Sequence, residues 1–268
     1  MNFLATIINQ KRRRVETAKL SVGLEALQLM ARGAREKVVP HALLAALRDE
    51  GKINIIAEFK RKSPSKGEIR READPAIIAR DYEAAGASAV SVLTEEDYFD
   101  GSLDDLRAVR QAISVPILRK DFIFEDYQVY ESAAAGADAL LLIVAALDDK
   151  VLSRLLRITE DELMMDAVVE VHTKEEMGRA VRSGAKLIGV NNRDLGTFAV
   201  SLETSARLAS MSGDKALLIS ESGIESAEDV RRLYDLGYRG FLIGESLMRA
   251  DDPGEALKRF TQRRQGAK

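Results

Sequence analysis

The feature that most constrains the fold is an alternation that starts near residue 52, in which short β-rich apolar segments are separated by longer stretches of helical period. Eight segments stand out: Ile53–Phe59, Ala89–Leu93, Val115–Leu118, Ala139–Val144, Ala167–Val171, Leu187–Val190, Ala216–Ser220 and Gly240–Ile243. Each is nearly continuous in apolar residues, as a strand buried on both faces must be, and strands that alternate with helices pair in parallel. Gly86, Gly136, Gly184 and Gly237 precede every second strand at intervals of about fifty residues, where each suits the left-handed end of a helix. Two βα units per repeat fit a closed (βα)8 TIM barrel, an α/β fold, with an open doubly wound sheet as the rival. Helix starts carry capping signals. Asp74-Pro75 places an N-cap before proline, Thr173 with Glu176 fits a capping box, and Ser226 with Asp229 is a weaker version of it.

Residues 1–50 fall outside the alternation and read as two or three helices, including Leu24–Ala31 and His41–Arg48, forming an N-terminal extension packed on the barrel that is expected to help cover its mouth. In the first helix Phe3, Leu4, Ile7, Ile8, Val15 and Ala18 supply the apolar face, and the run Lys11-Arg12-Arg13-Arg14 reads as solvated. No stretch is rich in glycine, proline or serine, so a single domain over 1–268 is expected.

The 40 basic and 43 acidic side chains leave a net charge of −3, and the pI near 5.7 provides no field to attract nucleic acid. Cysteine is absent, which excludes disulfides and thiolate chemistry, and two distant histidines, His41 and His172, cannot by themselves make a metal site. An all-carboxylate magnesium site stays open on composition. The longest apolar run, Ala139 to Leu147, falls short of the roughly 20 residues that span a bilayer. At the N-terminus the basic cluster follows the apolar residues, the reverse of a signal peptide. A soluble cytoplasmic protein with no membrane or nucleic-acid partner is expected.

In a parallel barrel the active site lies at the C-terminal ends of the strands, and this sequence crowds polar residues there. Strand one ends Glu58-Phe59-Lys60, where the period of two turns both charges to the mouth. The others end Arg119-Lys120-Asp121, Glu170-Val171-His172, Asn191-Asn192-Arg193 and Glu221-Ser222-Gly223. One such residue is readily a solvated loop residue or a cap; five strand ends with lysine, glutamate, asparagine and arginine suit an anionic substrate undergoing proton transfer. His172, just before Thr173, reads as a residue that merely precedes a helix. After the last two strands, Ser222-Gly223 and Gly244-Glu245 place glycine where a strand turns towards a helix, the usual phosphate site of such barrels. No Walker loop or GxGxxG follows any strand, and no Ser-His-Asp triad is indicated.

The segments IIAEFKRKSPSKG, SVLTEEDYFDGSLDDL, ILRKDFIFEDYQVYES, VEVHTKEE, IGVNNRDL, ISESGI and FLIGESLM, in this order and spacing, closely resemble the indole-3-glycerol-phosphate synthase family. The resemblance covers essentially the whole chain. It implies a carboxy-lyase of tryptophan biosynthesis that converts 1-(2-carboxyphenylamino)-1-deoxyribulose 5-phosphate to indole-3-glycerol phosphate, carbon dioxide and water, and that works as a monomer. It further implies that Lys120 is the general acid of ring closure, Glu170 the general base of dehydration, and Lys60, paired with Glu58, a second substrate lysine, with the division of steps between the lysines left open. Ser63, Asn191, Arg193, Glu221 and Ser222 match substrate-contacting positions, Phe99 and Phe122 an aromatic wall, and Gly223 and Gly244 the phosphate cradle. Glu245 stands where some members have serine; its backbone N–H rather than its carboxylate is expected to serve the phosphate.

The implied chemistry accounts for the residue types. Protonating the ketone makes it electrophilic, and attack by the ring carbon creates an iminium-like system that accepts the electrons released with carbon dioxide, so no cofactor is required. Burial lowers a lysine pKa and a neighbouring carboxylate raises it, so Glu58 and Glu170 are expected to keep Lys60 and Lys120 charged. Another phosphate-binding barrel, such as a phosphoribosyl-compound isomerase, and an inactive barrel acting as a binding protein are the alternatives. The first does not call for EFKRKSPS, and the second does not call for an intact Lys60, Lys120 and Glu170 set.

Overall fold

In the computed structural model, which describes residues 3–261, each of the eight apolar segments coincides with or overlaps a strand. They are β1 (Ile55–Phe59), β2 (Ala89–Leu93), β3 (Ile117–Lys120), β4 (Ala139–Ile143), β5 (Asp166–Val171), β6 (Leu187–Asn191), β7 (Leu217–Glu221) and β8 (Tyr238–Ile243). All pair in parallel, and β8 returns to β1, so the sheet closes into a barrel without a free edge. The doubly wound alternative is thereby excluded. Among the described residues no helix is long and apolar enough to cross a membrane.

The boundaries differ from the sequence reading by one or two residues at both ends of the strands. The third strand runs on through Arg119 and Lys120, and the sixth and seventh include Asn191 and Glu221. Apolarity marks only the lower part of a barrel strand. Its upper end can carry charge wherever the pleat delivers that charge to the cavity or to an ion partner behind the sheet.

Strand parity divides the interior into two layers. Ile56, Ala89, Leu118, Leu141, Val168, Leu187, Ile219 and Leu242 form a core inside the barrel, while Ala57, Val92, Ile117, Leu142, Val169, Val190 and Phe241 pack outwards among the helices. The inner core also contains Leu43, Leu44 and Leu47 of the short helix α3 (Ala42–Leu47), which thus plugs the lower end of the barrel. Above this apolar floor the same inward columns turn polar: Ile56 gives way to Glu58, Leu118 to Lys120, Val168 to Glu170 and Ile219 to Glu221. The site is therefore the top layer of the barrel core.

Local signals behave as their chemistry requires, with one exchange. Asp74 caps the helix Pro75–Ala84 by accepting from Ala76 and Ile77 N–H, and all four helix-ending glycines have positive φ, from 82° to 102°. The reciprocal capping box is formed by Ser226 and Asp229, the pair read as the weaker signal. Thr173 accepts from Glu176 N–H, but the Glu176 carboxylate instead takes the N–H of His172, one residue further back.

The N-terminal extension spans both ends of the barrel. Helices α1 (Phe3–Ser21) and α2 (Leu24–Arg35) precede α3, and Phe3, Leu4 and Ile7 of α1 reach the cavity at the mouth. The reading of Lys11 to Arg14 as a solvated face is corrected here. Lys11 is buried, with Nζ 2.7 Å from Asp121 Oδ2 and 2.8 Å from Glu96 Oε2, and Arg14 Nη2 lies 2.6 Å from Asp97 Oδ1. Arg12 lies over the Phe124 ring at 4.8 Å. Helical period identifies the apolar stripe of a helix but not the acidic residues that another segment brings against its flank. The Lys11 contact fastens α1 across the mouth, so Lys11→Met should cost on the order of 3 kcal/mol of unfolding free energy in urea, since it strands part of a buried charge network. The same variant should raise KM more than it lowers kcat; unchanged stability and KM would refute this role for α1.

Candidate active site

The cavity at the C-terminal ends of the strands has a volume of about 500 Å³, and its wall includes all fourteen residues singled out in the sequence. Glu58, Lys120, Glu170 and Glu221 rise from β1, β3, β5 and β7, the odd strands, which place their inward side chains in one layer. Lys60 follows β1 and returns to it, with Nζ 2.5 Å from Glu58 Oε1. Lys120 Nζ lies 2.8 Å from Glu170 Oε2 and 2.9 Å from Glu221 Oε2. One ammonium thus sits between two buried carboxylates, at the centre of the layer.

Burial sets the electrostatics of this layer. It opposes the charge on Lys120, yet the Glu170, Glu221 and Glu58 carboxylates together hold the ammonium well above the usual lysine range. Burial likewise works against the Glu170 carboxylate, but Lys120 first and His172 next keep it far below the usual carboxylate range. Glu221 comes off worse. Desolvation and repulsion from Glu170 outweigh its share of Lys120, and its pKa is pushed up to about 7. Its ion pair is short, but among the described residues no well-directed hydrogen bond reaches either of its oxygens.

Two glycines make room for these carboxylates. A Cβ on Gly244 would fall within contact distance of Glu58 Oε1, with Glu58 Cβ 2.9 Å away, and one on Gly189 would overlap Glu221 Oε1 while meeting Val168 Cγ1 at 3.0 Å. Gly244 is thus fixed by the side chain of β1, a reason that its reading as a phosphate turn did not include.

The remaining residues form two flanks. Phe99 and Phe122 face each other with ring centroids 6.4 Å apart and planes inclined at 41°. On the other flank Ser222 and Gly223 follow β7 with φ of 66° and 78°, a sharp turn braced by Asn192, whose Nδ2 donates to the Ser222 carbonyl at 3.0 Å. Asn191 Oδ1 accepts from Arg193 N–H at 3.0 Å, and the Arg193 guanidinium reaches Ser65 Oγ at 3.2 Å. The Glu245 carboxylate is drawn to cations, lying 3.2 Å from Arg249 Nε, 3.6 Å from Lys66 Nζ and 3.9 Å from Arg193 Nη2. Ser63 and Ser246 contribute buried hydroxyls that have no hydrogen-bond partner among the described residues.

Not every strand-end polar residue belongs to the mouth. Arg119 has the opposite parity to Lys120 and points behind the sheet, where Asp121 at 2.9 Å and Glu131 at 2.9 Å neutralise it. Asn192 is buried in a hydrogen-bond network with Ser205 and Ser220. Both are corrections that the period of two already contained. Phe3, Leu4 and Ile7 were not singled out as cavity residues, although the expectation that the N-terminal helices help cover the mouth holds for α1. Lys66, inside the SPSKG segment, and Arg249, one helical turn after Glu245, were also missed.

Comparison with known proteins places this geometry in a family. The family model described as indole-3-glycerol phosphate synthase matches residues 4–260. Among curated relatives, the indole-3-glycerol phosphate synthase of Carboxydothermus hydrogenoformans is 47% identical over 264 residues, covering 96% of this chain and 98% of the relative. That of Bacteroides thetaiotaomicron is 45% identical, covering 97% of each. Among solved structures, a thiamine phosphate pyrophosphorylase from Pyrococcus furiosus superposes with a TM-score of 0.59 at 16% identity, covering 78% of this chain and 93% of that one, a likeness of fold alone. On the strength of a match along nearly its full length, this chain belongs to the indole-3-glycerol phosphate synthase family.

Proposed function

We propose that the chain, working as a cytoplasmic monomer without a cofactor, closes the indole ring of 1-(2-carboxyphenylamino)-1-deoxyribulose 5-phosphate, releasing carbon dioxide and then water to leave indole-3-glycerol phosphate. The observation that carries this reading is the Glu170–Lys120–Glu221 cluster: a charged ammonium, desolvated and fixed, at the centre of a cavity with cations at one end and facing aromatic rings along its wall.

In this reading the phosphate lies over the turns at Ser222-Gly223 and Gly244-Glu245, with Arg193 as a counter-charge, and the anthranilate ring lies along Phe99 and Phe122. Ser63 and Asn191 contact the substrate between these ends; the unpartnered Ser63 hydroxyl is suited to this. Lys120 donates its proton to the ketone oxygen as the aromatic carbon that bears the carboxylate attacks the ketone carbon. Loss of carbon dioxide returns the bonding electrons to the iminium-like system. Glu170 then removes the ring proton while Lys60, held by Glu58, protonates the departing hydroxyl. Lys120 and Glu170 are already in the ionic forms their transfers require, which is what a preorganised acid–base site must provide.

Incubation with the substrate should generate indole fluorescence. The variant Lys120→Met should fold yet lose about a hundredfold or more in kcat, the usual scale of a lost general acid. Near-normal kcat in that variant would remove Lys120 from the chemistry, and absence of product from the unaltered chain would refute the function.

Glu221 yields a second test. Its folded pKa of about 7 lies above the unfolded value near 4.3, so between these limits the folded chain holds more protons than the unfolded one and stability falls as pH rises. Denaturation across this window should show that fall in the unaltered chain and a smaller one in Glu221→Gln. Equal slopes would show that Glu221 is not under this strain.

A further inference from the structure

His172 is used nowhere in the reaction above and does not line the cavity, yet its ring lies directly behind Glu170. We propose that His172 is a positioning residue for Glu170, an imidazolium tethered by Glu176 that keeps the Glu170 carboxylate ionised and aligned on Lys120. The inference rests on the functional reading above and adds to it a group that the substrate never touches.

The geometry fixes both the place and the charge of the ring. A single carboxylate oxygen, Glu176 Oε2, accepts from the His172 backbone N–H at 2.7 Å and lies 3.2 Å from ring Nδ1. This departure from the usual capping box clamps backbone and ring together. The other ring nitrogen, Nε2, is then 3.4 Å from Glu170 Oε1, while Glu170 Oε2 faces Lys120 at 2.8 Å. Each ring nitrogen faces a carboxylate, which only accepts, so the ring meets both contacts best when both nitrogens carry protons. Asp194, in the loop after β6, is a third acidic group that feels this charge. The side chain is 11% exposed, and although burial opposes the cation, Glu170 and Glu176 push its pKa up to about 10.

The reaction supplies a reason for a second cation. Once Lys120 has given its proton to the ketone, Glu170 and Glu221 share a neutral amine, and two buried carboxylates without a counter-charge draw a proton back. A cation outside the cavity, which exchanges no proton with substrate, leaves Glu170 ionised for the dehydration step. The separation of 3.4 Å, without a well-directed hydrogen bond at Nε2 among the described residues, lets it act by charge while leaving the base strong enough to take a proton.

The chain has only two histidines, so the charge can be measured on the unaltered protein. Two-dimensional 1H–15N spectra of the imidazoles, assigned with His41→Gln, should show His172 protonated on both nitrogens up to about pH 8.5, well beyond the ordinary histidine value of about 6.5. A neutral His172 ring at about pH 7.5 would overturn the inference. In kinetics, His172→Gln should lower kcat about tenfold, the scale seen when a supporting partner is lost, with KM little changed. Removing the cation raises the Glu170 pKa, so the acid limb of the kcat profile should move up by about a unit. A lower melting temperature with an unmoved acid limb would mean a merely structural role, and would also overturn it. If the variant does not fold, the spectra of the unaltered chain still decide. An unaltered chain that makes no indole-3-glycerol phosphate fails the functional reading; one that turns over with a neutral His172 fails this inference alone.

Discussion

One ammonium held between two buried carboxylates governs the upper half of this barrel. Glu170 and Glu221 are removed from water and Lys120 nearly so, and desolvating any one of them alone would cost more than the fold could offset. Together they are tolerable, but only with the geometry that three different strands impose. Closure of the sheet is what brings those strands to one layer, and the apolar floor beneath them, sealed by α3, keeps water from entering from below. The glycines at 189 and 244 then follow as necessities, since each stands where a side chain would displace a carboxylate.

The same constraint explains how charge is distributed around the site. Glu221 bears the imbalance of two carboxylates on one lysine, and a pKa pushed up to about 7 leaves it poised between states near neutrality. Glu170 escapes that strain because it has Lys120 on one oxygen and His172 behind the other. The Lys11–Asp121 contact above, and the Arg119–Asp121–Glu131 cluster behind β3, repeat the principle: each buried charge is met by an opposite one.

Much of the fold was legible because a βα barrel writes its strands as apolar runs at regular intervals, and the chain contains all eight. The upper strand ends were less legible. Lys120, Asn191 and Glu221 are strand residues that composition alone assigns to loops, because their partners lie on other strands. The site residues were found through the strand-end rule and through resemblance, and the structure gathers them in one cavity. What stayed hidden was relational. The sequence offers no sign that Lys11 would pair with Asp121, that Glu176 would bypass Thr173 N–H for that of His172, or that α3 would close the floor. Arg119 and Asn192 were within reach, since their parity already turned them away from the cavity.

The account stands on convergence of these groups around a single phosphoester. Its most direct measurement is a crystal structure with the substrate analogue whose ketone is reduced to an alcohol, which binds but cannot cyclise. The account predicts that alcohol oxygen at hydrogen-bond distance, about 3 Å, from Lys120 Nζ, with the phosphate over the turns at Gly223 and Gly244. A phosphate bound elsewhere, or an alcohol remote from Lys120, would contradict it.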